Sequence, residues 1–307
     1  MAASITACGG DSGGSANAKP TIRIAQNAWS ASKVDAALAA ILLAKQLGFP
    51  VEVTDIDENA QWPMIAKGEL HACLEVWPSG HRADIRQYVD DERSVEDGGP
   101  LGPVGKIGWY IPAYLLDTHP ELATYAGFKN PDNVALFRTP ETGTKGRFLS
   151  ADPSFVQYDE QVIRNLGLDL TVVFAGSEEA VLAQVDAAYR RQEPILFYFW
   201  KPHSSHQKYQ LAEVALPPYS DACYAKASTG GIDCDYPNDV LFKIVWSGLS
   251  RYAPDAYQLI RNIRYSTEEQ TALIALVDLD GRTPHDAART WIDSHESVWR
   301  SWIPPHG

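Results

Sequence analysis

The sequence predicts an α/β chain folded as two lobes joined by two crossing strands. Three observations predict it. Strand and helix patterns alternate twice along the chain, which implies two largely parallel sheets. Two further strand-like segments follow these units and are free to run between them. The length, 307 residues, is that of about two ordinary domains.

The elements follow in order. "TIRIAQNAW" (21–29) reads as a strand ending in a loop. "SKVDAALAAILLAKQLGF" (32–49) has helical spacing, with Ser32 as the expected N-cap and Gly48 as the stop. "PVEVTDI" (50–56) alternates as a strand. "NAQWPMIAKGEL" (59–70) reads as a short helix ending near Gly68, and "HACLEVW" (71–77) as a strand. "VGKIGWYIPAYLL" (104–116) is a strand that leaves the first unit. The second unit begins with "VALFRT" (134–139) as a strand. The helix "YDEQVIRNLG", the strand "LTVVFA", the helix "SEEAVLAQVDAAYRRQ" and the strand "PILFYFW" complete it. "LAEVALPPY" (211–219) is expected to return to the first unit. From about Asp239 the pattern is read as helical, beginning with "DVLFKIVWSGLSRYA". The expected division is a tether over 1–19, lobe 1 over 20–112 plus 214–307, and lobe 2 over 113–213.

Composition narrows the function. The chain is 45% hydrophobic and 21% charged, with a formal net charge of −13. That charge argues against nucleic acid, which needs a basic face. Nine Trp and fourteen Tyr are many for this length and suit flat or cationic ligands. No segment is long and apolar enough to span a membrane.

The N-terminal "ITAC" resembles a bacterial lipoprotein box, with Cys8 as the residue to be lipidated, although only seven residues precede it. A small, polar tether follows. "GDSGG" within it resembles a protease nucleophile motif, but such a serine needs a folded site with His and Asp in place. Cys223 and Cys234 bracket a Gly- and Ser-containing loop and are expected to form a disulfide, which an exported protein permits. Cys73 lies in an apolar run and reads as a buried thiol. No cysteine pair has metal-site spacing, so neither metal nor cofactor is expected.

Ligands of open parallel sheets bind beyond the carboxyl ends of the strands. The loops there carry Trp29, the stretch from Trp77 to His81, the stretch from Thr142 to Arg147, and the stretch from Trp200 to His203. Trp62 starts a helix beside Trp77. The chain resembles the glycine betaine/choline/proline-betaine substrate-binding proteins of ABC importers. The matching stretches are "QWPMIAKGELHACLEVWPSGH", "GWYIPAYL", "PETGTKGRF", "ILFYFWKPH" and "LAEVALPPYSDACY". They run across nearly all of the chain from Ile22. The resemblance implies a bilobed type II periplasmic-binding-protein fold and no enzymatic activity. It implies a monomer outside the cytoplasm that delivers a quaternary ammonium compound to a permease and its ATPase. It touches the membrane only through its lipid anchor.

Carried onto this sequence, the family's aromatic cage matches Trp62, Trp77 and Trp200, with Trp29 nearby. His81 matches the polar contact. Backbone donors for a carboxylate fall at Gly143, Thr144, Gly146 and Arg147. Arg147 reads equally as a carboxylate clamp and as a solvated loop residue, and His203 equally as a ligand contact and as a loop cap. Ser204 stands where many family members have a bulky residue, which leaves room for a larger ligand. Glu75, Asp55 and Asp57 lie near the expected site, where they would favour a purely cationic ligand, or serve as ordinary surface or hinge charges. Aromatic faces suit a trimethylammonium group because it has no N–H to donate. Each contact is worth roughly 0.5–2 kcal/mol, so three do not reach the about 8 kcal/mol of micromolar binding. Lobe closure and polar contacts must add the remainder. An enzyme is the weaker reading. "HSSH" (203–206) offers two His without a third metal ligand, and nothing fixes a catalytic spacing for Glu75 and Asp57. A sensory lipoprotein binding the same ligand remains the alternative.

Overall fold

The computed structural model describes residues 19–305. Cys8 and nearly all of the expected tether lie outside them. Among the described residues there are nine strands: β1 Ile22–Gln26, β2 Val51–Asp55, β3 Ala72–Val76, β4 Val95–Pro112, β5 Gly146–Ser150, β6 Leu170–Phe174, β7 Phe197–Lys201, β8 Leu211–Val214 and β9 Asn238–Trp246. The helices of eight residues or more are α1 Ser30–Leu47, α2 Asp159–Leu166, α3 Glu178–Arg191, α4 Pro254–Asn262, α5 Thr267–Asp278 and α6 Pro284–Ser294.

The strands lie in the order β2-β1-β3-β9-β4-β7-β5-β6, with β8 also on β4. At one end β2, β1 and β3 are parallel. At the other, β7, β5 and β6 are parallel. The antiparallel pair β9 and β4 joins the two units. This is the predicted α/β architecture of two units and two crossing strands, but the second crossing strand is β9 and not the expected "LAEVALPPY", whose strand β8 pairs beside β4 without returning to the first unit. The architecture follows from the chain's two blocks of alternating elements, each of which builds its own parallel sheet.

α1 is apolar nearly all round, with Val34, Leu38 and Leu42 fully buried. It needs cover on both sides, and lies between the sheet and helices α5 and α6. Gly48 ends it with φ 66°, a left-handed cap that costs a glycine little. The helix starts two residues before the expected Ser32. Trp29 holds the N-cap position, and the Ser32 hydroxyl instead accepts the N–H of Asn27. In the second unit Phe148, Leu149, Phe197 and Phe199 of the sheet pack with Val162 of α2 and Val181 and Val185 of α3.

Three elements differ from expectation. "VALFRT" is not a strand. Asn130 caps a short helix, Pro131–Leu136, through the Asp132 N–H, and the strand starts later, at Gly146. β4 begins at Val95, before the expected Val104. Its "VEDGGPLGP" section is rich in glycine and proline, and it pairs with β9 through two register shifts. "DVLFKIVW" is strand β9, not helix. Val240 is exposed at 56% while Leu241 is fully buried, an alternation that a mixed β-branched and aromatic run allows. β8 pairs with β4 at Trp109–Pro112. The chain after it stays with the second unit, because Gln161, Arg164 and Asn165 of α2 donate to the carbonyls of Ala227, Gly230 and Ile232. Cys223 and Cys234 are joined in a disulfide within that segment, and Cys73 is a buried free thiol.

Candidate ligand-binding site

Loops at the carboxyl ends of parallel strands from both units meet around one cavity. Trp29 comes after β1, Glu58 after β2, and Trp77, Ser79 and Gly80 after β3. Phe155 and Val156 follow β5, while Tyr198 and Trp200 lie on β7. Ile107 of β4 completes the wall. The cavity is small, about 30 Å³, against the roughly 10–15 Å³ that one buried water needs. It suits a compact guest.

The aromatic walls are held from behind. Phe155 stands edge-on to Trp29, with ring centres 5.3 Å apart, and lies 6.1 Å from Trp200. The indole N–H groups of Trp29 and Trp77 both donate to Oε1 of Glu75, at 2.8 and 2.9 Å. Gly105 lies under the Trp77 ring. A Cβ there would come within 2.3 Å of it, so only glycine lets β4 pass. Trp200 stacks on Phe199 at 4.5 Å.

Polar groups on the wall are few. Glu58 is 7% exposed; one oxygen accepts the Val156 N–H and the other lies 3.0 Å from Nε2 of His81. His81 is 1% exposed and also meets Asp84 at 3.0 Å. Burial alone would lower its pKa, but the hydrogen bonds to Asp84 and Glu58 outweigh it and raise the value to about 9. The Tyr198 hydroxyl, whose pKa burial raises, makes no hydrogen bond among the described residues. Among the described residues no lysine or arginine lines the cavity.

The expected residues therefore divide. Trp29, Trp77 and Trp200 line the cavity together. Trp62 does not. It is fully buried, 5.5 Å from the His81 ring and stacked on Tyr88. His81 reaches the wall only through Glu58. Gly143, Thr144, Gly146 and Arg147 lie before or at the start of β5, at the opposite end of that strand from the Phe155 loop. Arg147 donates to Gln184. With "VALFRT" a helix, the loop beyond the true strand is 151–158, and that loop reaches the cavity. Asp55 accepts from Gln26, and Asp57 caps the turn at Asn59. Phe155, Tyr198 and Glu58 escaped the sequence reading. Reading "GRFLS" as the strand would have pointed to Phe155.

Behind Trp200 a second polar cluster ties the units together. Nε2 of His203 lies 2.5 Å from Glu178 and 3.2 Å from Asp278. Glu178 accepts the Ser30 N–H, and Asp278 accepts the hydroxyls of Ser30 and Ser204. Ser204 is buried in this seam and does not open the cavity wall. Burial disfavours the charge on His203, but Asp278 and Glu178 outweigh it and raise its pKa to about 9. Among the described residues Glu178, His203 and Asp278 offer atoms close enough to share a metal, within 4.8 Å. Each of those atoms is already engaged within the seam, which makes the cluster a hydrogen-bonded clasp.

Two α/β units on a shared antiparallel pair, with a cavity at their common strand ends, define a type II periplasmic-binding-protein fold. The closed form of lactococcal OpuAC complexed with glycine betaine superposes with a TM-score of 0.72 at 21% identity, covering 93% of this chain and 100% of that one. An ABC-transporter choline-binding protein in complex with choline gives 0.73 at 19% identity, covering 92% of each chain. The chain belongs to the family described as the substrate binding domain of ABC-type glycine betaine transport system, which matches residues 20–294. It is 29% identical over 291 residues to a trimethylamine N-oxide-binding protein of Pelagibacter ubique (strain HTCC1062), covering 92% of this chain and 91% of that protein. The family and these relatives are described as substrate-binding proteins, the family and the choline-binding protein as parts of ABC-type transporters. Among the described residues no helix is long and apolar enough to cross a membrane.

Proposed function

We propose that this protein captures a compact methylated ammonium compound between its two units and hands it to an ABC permease. The observation that carries the reading is the composition of one cavity. Trp29 and Trp77 from the first unit meet Phe155, Tyr198 and Trp200 from the second, and among the described residues the wall carries one carboxylate and no lysine or arginine. A methylated ammonium group has diffuse charge and nothing to donate, so aromatic faces suit it. Glu58 on the wall is paired with the His81 imidazolium behind it, and among the described residues the wall has no lysine or arginine to hold a carboxylate of the ligand. Choline and trimethylamine N-oxide therefore fit better than glycine betaine, with the Tyr198 hydroxyl as partner for their oxygen.

The ligand-free form is open in this reading. The lobe division we propose follows β4 and β9, so the return crossing falls near Pro237 rather than at 214. Closure brings Trp29 onto Phe155 and the Ser30 N–H onto Glu178. Ligand binding favours the closed form because neither unit alone surrounds the guest. The protein acts as a monomer outside the cytoplasm, lipid-anchored through Cys8.

A thermal-shift screen tests the reading with choline, trimethylamine N-oxide, glycine betaine, carnitine and amino acids. A true ligand at a hundred times its dissociation constant stabilises the fold by about 2.7 kcal/mol. A screen in which only amino acids shift the transition would reject the assignment.

A further inference from the structure

Glu75 is 1% exposed and sits behind the cavity, not on its wall. Its Oε1 accepts both cage indoles, and its Oε2 accepts the Gln270 amide at 2.7 Å. Asp35, equally buried, shares the Gln270 amide at 3.4 Å and accepts the Tyr265 hydroxyl. Among the described residues no lysine, arginine or histidine pairs with either carboxyl. Two buried acids without a counter-ion are costly, because a charge removed from water must be paired.

Burial, followed by the charge of Glu75, holds Asp35 well above the usual carboxylate range. Burial also raises Glu75, and hydrogen bonds involving Asp35, Trp77, Trp29 and Gln270 offset part of that rise. Of the two, Glu75 is the better placed to carry the charge, since three N–H groups point at it.

We propose that Glu75 is a positioning residue that also supplies the counter-charge for the bound cation through the cage. This rests on the function proposed above. One oxygen fixes two indole edges, so the rings of Trp29 and Trp77 keep a set relation to each other. An indole whose N–H donates to a carboxylate is more electron-rich, and its face attracts a cation more strongly. The charge also acts directly. Attraction between unit charges on the order of 5–10 Å apart at an effective dielectric of about 20 corresponds to roughly ten- to a few-hundredfold in affinity. The guest completes an ion pair that the fold leaves open, which makes the site selective for charge as well as shape.

The test compares choline with 3,3-dimethylbutan-1-ol, its uncharged carbon isostere, by calorimetric titration. Wild-type protein should prefer choline. Glu75→Gln keeps the acceptor for both indoles, so the isostere should change less than threefold while choline weakens tenfold or more. The unliganded variant should melt no lower than wild type, because an unpaired buried charge is gone. Asp35→Asn leaves Glu75 its charge and should keep the choline preference within threefold. Equal weakening of both compounds in Glu75→Gln, or unchanged choline binding there, would overturn the proposal. Loss of the preference in folded Asp35→Asn would do the same. Wild-type protein that takes no choline overturns the function beneath it and the proposal together.

Discussion

Phe155→Ala separates the closed, liganded state from the fold itself. The ring is 8% exposed and touches Trp29 of the first unit and Trp200 of the second. Its contact with Trp200 lies within one unit and survives opening, so it affects stability more than binding. Its contact with Trp29 exists only when the units are together. One edge-to-face pair is worth about 0.5–1.5 kcal/mol beyond its area. One cation–π face adds about 0.5–2 kcal/mol. The expected loss of ligand affinity is therefore about 1–3.5 kcal/mol, or roughly five- to three-hundredfold. Titration calorimetry on wild type, Phe155→Ala and Phe155→Trp measures it, with circular dichroism to confirm folding. The Trp variant keeps an aromatic face and should retain more affinity than the Ala variant. A folded Phe155→Ala protein that binds within twofold of wild type would refute the argument that this loop closes the cage.

Other outcomes follow from the same geometry. The raised pKa of His203, about 9 against an ordinary 6.5, gives the clasp a pH window. Its contribution is fully present below about pH 6.5 and is lost as pH rises through about 9. Affinity should thus fall between about pH 6.5 and 9, and His203→Gln should flatten that part of the profile; an unchanged slope in the variant would remove the clasp. Glu58→Gln should improve glycine betaine binding relative to choline by about tenfold, since one negative charge leaves the wall. An unchanged ratio in paired titrations would mean that Glu58 does not select. Mass spectrometry of unreduced protein should show the Cys223 and Cys234 peptides linked. Reduction should lower stability by about 2–4 kcal/mol, and a melting curve that ignores reductant would contradict this.

Much of the fold was legible because period and punctuation agree. Gly48 ends α1 where the apolar spacing stops, and the strand–helix alternations of both units are regular. The misread elements are those in which local signals conflict. β4 runs through "GGPLGP", where bulges absorb residues that normally break a strand. "DVLFKIVW" has neighbours on both a strand face and a helical stripe, and only pairing with β3 and β4 decides it. The aromatic wall of the cavity was half legible. Trp29, Trp77 and Trp200 stand at the tips of readable strands, whereas Trp62 has the same surroundings in sequence and is buried. The misplaced strand at "VALFRT" carried the expected backbone donors to the wrong end of β5 and hid Phe155. The clasp could not be read at all, because Ser30, Glu178, His203 and Asp278 are brought together only by the packing of the two units.

The most direct test of the cage is a calorimetric comparison of methylated and unmethylated partners. Choline and ethanolamine differ only in three methyl groups, as do glycine betaine and glycine. An aromatic cavity without acceptors arranged for N–H donors should bind choline at micromolar or tighter dissociation constants, about 8 kcal/mol or more. Ethanolamine should bind at least a hundredfold more weakly, and tryptophan fluorescence should change only with the methylated compounds. Equal binding of ethanolamine and choline, or of glycine and glycine betaine, would contradict recognition by aromatic faces.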